Sequence, residues 1–273
     1  MKKAGELIRE AHKIVIKIGS SSLTNRHGLA DRRMMRSLVE QIVSLIEANK
    51  QIIIVSSGAA SSGVATINKW HRKNDVHYKQ ALCAIGQVEL MSAYRDIFWD
   101  SSIHVAQLLI TREDLLTPKR RLYIRNTLFT LLDEGVVPIV NENDSVSVEE
   151  IEIGDNDNLS AMTADLWSAD LLILLSDVDG LYTKDPHTNP EAELIACVQD
   201  IEACRSMADI CGKGDLGTGG METKLEAAEL ANQNGIPVIL TNSNTENIFS
   251  KLINDELQAT VFLPQDKLIR SNI

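Results

Sequence analysis

No apolar run in the chain exceeds five residues, as at Leu171 to Leu175, far short of the ~20 a membrane-crossing helix needs. Nothing in the sequence reads as spanning a bilayer. The first residues carry Lys2 and Lys3 with no apolar stretch or small-residue cleavage site behind them, so no signal peptide is read and a cytoplasmic protein is expected. Cysteine is scarce: Cys83, Cys197, Cys204 and Cys211 form neither a C-x-x-C pair nor a Cys/His zinc spacing. They are read as reduced thiols that pack as small hydrophobes. Basic residues are outnumbered, 27 Lys and Arg against 38 Asp and Glu, for a net charge of -11. That argues against a nucleic-acid partner, whose binding rests on cations that neutralise phosphates. A Walker A loop, G-x-x-x-x-G-K-[ST], is also missing. Any anionic ligand must then be held locally, by helix N-termini and single lysines.

What is present is a run of short, β-branched segments bounded by Gly, Pro or Asn: Ile14–Ile18, Ile52–Ser56, Val105–Ile110, Val137–Val140, Leu171–Ser176 and Val238–Thr241. These have the look of buried parallel strands. Helix-period segments separate them, roughly Arg32–Ala48, Tyr78–Trp99, Lys119–Glu134, Leu159–Trp167 and Met221–Asn234. Val146–Ile153 alternates like a hairpin beside the main sheet. The pattern is βαβ throughout, and at 273 residues one domain with a doubly wound α/β sheet is expected. Such sheets place ligands at the carboxyl ends of their strands.

Those ends carry polar clusters. Lys17 sits in an otherwise apolar strand that runs into Gly19-Ser20-Ser21-Ser22, and Ser56-Ser57-Gly58-Ala59 follows the second strand. Backbone N–H groups in such small-residue turns can approach an anion. Asn141-Glu142-Asn143-Asp144 and Gly154-Asp155-Asn156-Asp157-Asn158 form two clusters in one locality. Carboxylates and amides together can receive the ammonium and carboxylate of an amino acid, though Asp155 to Asp157 also suit helix capping. An EF-hand fails there for want of the later Gly and Glu. Ser176-Asp177 ends the fifth strand, and Gly217-Thr218-Gly219-Gly220 leads into a helix whose first turn holds Thr223 and Lys224. A helix start with a lysine suits polyphosphate. The plain alternative is a flexible turn and a solvated helix lysine.

In order, the motifs KIGSSSL, SSGA, NENDSV, GDNDNLSA, SDVDGLYTKDP and GTGGMETK resemble those of the amino acid kinase family, from about Lys13 to Pro264. The resemblance implies a three-layer αβα sandwich with a mainly parallel sheet. It implies one domain over 1–273, with an acceptor-binding lobe at about 1–170 and a nucleotide-binding lobe at 171–273. It implies transfer of the ATP γ-phosphoryl group to the side-chain carboxylate of glutamate, in proline biosynthesis. Lys17 and Lys224 would stabilise the phosphoryl group in flight, with Asp157 orienting them. Ser57, Gly58, Ala59, Asp144 and Asn156 would bind glutamate. Lys17, Ser176, Asp177, Thr218, Gly219, Gly220, Met221, Glu222, Thr223 and Lys224 would line the ATP site.

Phosphoryl transfer needs alignment and charge stabilisation more than covalent help, and a carboxylate acceptor needs no general base. Two lysines suit that task. Mg²⁺ would bridge the ATP phosphates mainly through water, without a dedicated protein cage. By resemblance the chain would form a dimer or tetramer, would be inhibited by proline, and would pass its labile product to a reductase. Many family members continue into a PUA domain, which this chain is expected to do without. The alternatives are another amino acid or carbamate kinase, or a non-catalytic amino acid or nucleotide sensor.

Overall fold

A computed structural model describes residues 2–25, 29–68, 75–147, 156–186, 188–206 and 220–265. Its elements run α1 Ala4–Glu10, β1 Lys13–Ile18, a 3-10 turn at Ser20–Leu23, α2 Arg32–Glu47, β2 Gln51–Ser56, α3 Ala59–Ile67, α4 Val76–Trp99, β3 Val105–Ile110, α5 Arg112–Leu116, α6 Pro118–Asp133 and β4 Val137–Glu142. After these come α7 Asn156–Trp167, β5 Leu171–Ser176, β6 Cys197–Val198, α8 Ile201–Ser206, α9 Met221–Gln233, β7 Val238–Asn242, α10 Ile248–Ile253 and β8 Thr260–Phe262. The strands form one eight-stranded sheet in the order β3-β4-β2-β1-β5-β7-β8-β6.

β1 lies inside this sheet, hydrogen-bonded in parallel to β2 on one side and β5 on the other. Both of its faces are covered, which is why its sequence is apolar almost without alternation. Ile14, Ile16 and Ile18 join a core with Leu38, Val39 and Ile42 of α2, Tyr94 and Phe98 of α4, and Phe249 of α10. Val15 faces the other way, into a core with Leu159 and Trp167 of α7 and with Leu225 and Ala228 of α9. Each of these aliphatic side chains contributes about 1.5–3 kcal/mol on burial. The result is three layers, α on β on α, with Lys17 on the same face as Val15 by the two-residue period of a strand.

Local signals start and stop the helices. Asp31 caps α2 by accepting from Arg33 N at 2.8 Å, and Asp75 caps α4 by accepting from Tyr78 N at 3.1 Å. Pro118 occupies the first position of α6. Beyond α9, Gly235 takes φ +78°, a backbone conformation open to glycine.

All six expected strands are present, but the expectation of βαβ connections throughout is corrected. β8 runs antiparallel to β7, and β6 pairs in parallel with β8. These two extra strands are two and three residues long, too short to leave a pattern. The hairpin expected over 146–153 falls largely outside the described residues, and Val146 lies in a turn. Cys83, Cys197 and Cys204 are free thiols; Cys211 lies outside the described residues. Among the described residues no helix is long and apolar enough to cross a membrane.

Candidate active site

Three elements deliver one ionic cluster. Lys17 projects from β1 toward α7, whose first turn holds Asp157, fully buried. Its Nζ lies 2.6 Å from Asp157 Oδ1. From α9, Lys224 Nζ reaches Asp157 Oδ2 at 3.3 Å, and Thr223 Oγ1 donates to the same oxygen at 2.9 Å. Lys224 is only 7% exposed, so the alternative of a solvated helix lysine is corrected. Burial pushes the Asp157 carboxyl up, but the two lysines and the bond from Thr223 outweigh it and hold the group down at about 2. The Asp157 carboxylate is thus shared between two lysine heads, one on each oxygen. A Cβ placed on Gly19 would lie 3.7 Å from Lys17 Nζ, so the lysine head sits beside the turn that follows β1.

A second, neutral cluster lies at the ends of β2 and β4. Asn156, next to Asp157 and also fully buried, donates through Nδ2 to Ser57 Oγ at 2.8 Å, to Asn141 Oδ1 at 2.9 Å and to Ser56 O at 3.3 Å. Ser57 N donates to Ile18 O at 3.0 Å, which ties this turn to the end of β1. Gly58 follows at φ +101° and caps α3, which Ala59 begins. Asp144 is buried nearby, and Gln80 Nε2 donates to its backbone oxygen at 3.1 Å. Burial pushes the Asp144 carboxyl up to about 6, with a hydrogen bond from the Cys83 thiol working the other way.

On the far side of the sheet's centre, Ser176 Oγ donates to Asp177 Oδ1 at 3.0 Å. Ser243 N donates to Ser176 O at 2.7 Å, joining the ends of β5 and β7. Gly220 caps α9, with Met221 and Glu222 in its first turn. Thr218 and Gly219 lie outside the described residues. Among the described residues no group of three or more His, Cys, Asp or Glu is placed to hold a metal ion.

The structure therefore brings Lys17, Asp157, Thr223 and Lys224 together, and separately Ser57 with Asn156. Asn141, part of a polar cluster in the sequence but assigned no role there, donates through Nδ2 to Gln87 Oε1 at 2.9 Å, and Gln87 is a member the sequence reading does not include. An amide near the end of an otherwise apolar strand was the signal for Asn141; Gln87 left none.

Buried lysines and small-residue turns thus gather at the strand ends of an αβα sandwich. The fold itself is shared with solved structures. The structure superposes on UMP kinase from Ureaplasma parvum with a TM-score of 0.63 at 17% identity, covering 96% of this chain and 100% of that one. Isopentenyl phosphate kinase gives a TM-score of 0.63 at 17% identity, covering 92% and 100%. The signature of the amino acid kinase family matches residues 12–242, and the chain belongs to that family. Among its relatives, a glutamate 5-kinase of Alkaliphilus metalliredigens is 53% identical over 94% of this chain and 97% of its own length. One from Clostridium acetobutylicum is 43% identical over 95% and 97%. One from Dictyoglomus turgidum is 46% identical over 93% of this chain and 68% of its own length.

Proposed function

We propose that the chain transfers the γ-phosphoryl group of ATP to the side-chain carboxylate of L-glutamate, giving glutamyl 5-phosphate, the first step of proline biosynthesis. The observation that carries this is the pairing of Lys17 and Lys224 on the one buried carboxylate of Asp157. A glutamate γ-carboxylate oxygen attacks the γ-phosphorus; the bond to the bridging oxygen breaks and its electron pair leaves with ADP. Charge on the transferred group falls between the two ammonium groups, whose positions are set in advance, so little reorganisation is needed. Mg²⁺ would enter as part of the nucleotide substrate, since it keeps most of its water shell.

In this assignment Ser57, Gly58, Ala59, Asp144 and Asn156 hold glutamate, with Asp144 and the Asn156 oxygen suited to its ammonium group. Ser176, Asp177 and Thr218 to Lys224 hold ATP. Residues 1–170 then form the acceptor lobe and 171–273 the nucleotide lobe, in the cytoplasm. Proline is expected to compete with glutamate, and a reductase to consume the acyl phosphate. Self-association is supported by Leu109 on edge strand β3 and by Leu116, Leu122 and Tyr123 on α5 and α6, all exposed.

The test is to trap the acyl phosphate with hydroxylamine, with ADP release followed in parallel, using glutamate, aspartate or N-acetylglutamate as acceptor. ATP-dependent hydroxamate with glutamate alone is expected. Equal rates with another acceptor would assign a different amino acid kinase, and no product with any of them would leave a sensor.

A further inference from the structure

The amide of Asn156 is held in one sense by a chain of forced hydrogen bonds that starts at a backbone donor. Glu142 N can only donate, and it donates to a side-chain atom of Asn141 at 2.9 Å, so that atom is Oδ1. The other end of the Asn141 amide is therefore Nδ2, which needs an acceptor and finds Gln87 Oε1 at 2.9 Å. The Asn156 atom that meets Asn141 Oδ1 must in turn be a donor, Nδ2. Ser56 O, an obligate acceptor, agrees. The remaining atom, Asn156 Oδ1, is completely buried and has no partner among the described residues. A buried acceptor left unpaired is costly, a cost a ligand donor would remove.

Gln87 is placed for this by helical spacing. Gln80, Cys83 and Gln87 lie at i, i+3 and i+7 along α4, on one face. Gln80 bonds the backbone of Asp144, Cys83 bonds its carboxyl, and Gln87 bonds Asn141. One face of α4 thus grips the end of β4 and the segment that follows it. Gln87 itself is only 8% exposed, and its Nε2 also lacks a partner among the described residues. As core packing alone, a buried amide pair gains little over a well-shaped apolar pair.

We infer that Gln87 is a positioning residue for the acceptor site: by accepting from Asn141 Nδ2 it holds Asn141 Oδ1 in place against Asn156 Nδ2, which leaves Asn156 Oδ1 presented to the ammonium group of the bound amino acid. This rests on the reading that Asn156 binds glutamate, which Asn156→Ala tests by itself. Replacing Gln87 by Met keeps the volume and removes the acceptor. Asn141 Nδ2 is then left unpaired, and Asn141 loses the contact that holds its side chain against Asn156, although the donor Glu142 N still fixes the sense of its amide.

The experiment measures KM for glutamate and for ATP, with kcat and thermal stability, in Gln87→Met, Asn156→Ala and the double variant. Gln87→Met is expected to raise the glutamate KM about tenfold and leave the ATP KM within about twofold. The double variant is expected to match Asn156→Ala within about twofold, because both changes remove one interaction. Glutarate, which lacks the ammonium group, should be used equally well, within about twofold, by wild type and Gln87→Met. If Asn156→Ala raises the glutamate KM while Gln87→Met does not, or if the two effects multiply, the positioning role is overturned and the acceptor site stands. A neutral Asn156→Ala overturns both. Should Gln87→Met fail to fold, Asn141→Ala cuts the same chain one link closer, with the same outcomes on either side.

Discussion

Gly86 of α4 lies directly against Gly63 of α3: a Cβ built on Gly86 would overlap Gly63 N and Ala59 O. Both obstacles are backbone, so no side chain can swing aside. Gly86→Ala is therefore expected to destabilise the fold by about 2–3 kcal/mol, measured by urea denaturation. Because α3 begins just after Ser57 and Gly58, the glutamate KM should rise as well. A fully stable Gly86→Ala protein with unchanged kinetics would show that the two helices can part freely.

Lys224→Met should lower kcat by on the order of 10²–10³ at saturating ATP and glutamate, the cost of removing charge stabilisation from the transferred group. Burial adds a second effect that an exposed lysine would not have: Asp157 loses one of its two cations, so stability should fall by about 1–3 kcal/mol. Near-normal kcat in the folded variant would remove this lysine from the chemistry.

Asp157→Asn leaves two buried ammonium groups side by side without their carboxylate. A stability loss of about 3–5 kcal/mol is expected, together with a fall in kcat. The carboxyl is held at about 2 in the folded protein, below its ordinary value of 3.8. Its stabilising effect is thus complete above about pH 4 and is lost as the pH falls toward 2. Melting temperature against pH should show this acid limb flattened in Asp157→Asn; an unchanged limb would mean other carboxylates set it.

Asp144 carries the opposite sign. Its carboxyl is raised to about 6 by burial, so the folded state holds this proton more tightly than the unfolded chain. Stability from this group is greatest below about pH 4 and is lost as the pH climbs through 6. Asp144→Asn should gain on the order of 1–3 kcal/mol at pH 7.5 while raising the glutamate KM at least tenfold and sparing the ATP KM. The wild-type glutamate KM should rise as the pH drops below 6, and that of Asp144→Asn should stay flat. A variant that is less stable at pH 7.5, or that has an unaltered glutamate KM, would contradict this account.

The central strands were legible because a doubly covered strand writes its burial into every residue, as in Ile52 to Val55. Helix α3 was not. Its sequence, AASSGVATI, is small and β-branched, a poor intrinsic helix former; it is helical where Gly86 lets α4 press on it. In the site, Lys17 stands out as a charge in an apolar strand and Lys224 as a lysine beside a glycine-rich turn, whereas Asp157 is one polar residue among several in GDNDN and is marked by the family resemblance alone. The chain from Gln87 to Asn141 to Asn156 does not stand out, because its links span 54 and 15 residues and a hydrogen bond of that range leaves no local period. Likewise, burial of Lys224 is decided by α7 packing on α9, not by the helix it stands on.

The place of β1 inside the sheet also bears on how the protein is made. Its neighbour β2 leaves the ribosome soon after it, but β5, which closes its other edge, begins only at Leu171. At about 5–20 residues per second, β1 waits on the order of ten seconds with one apolar edge unpaired, a template for the wrong partner. Asp157 emerges in the same late portion and Lys224 later still, so the nascent chain holds no ion-paired site until most of it has been synthesised.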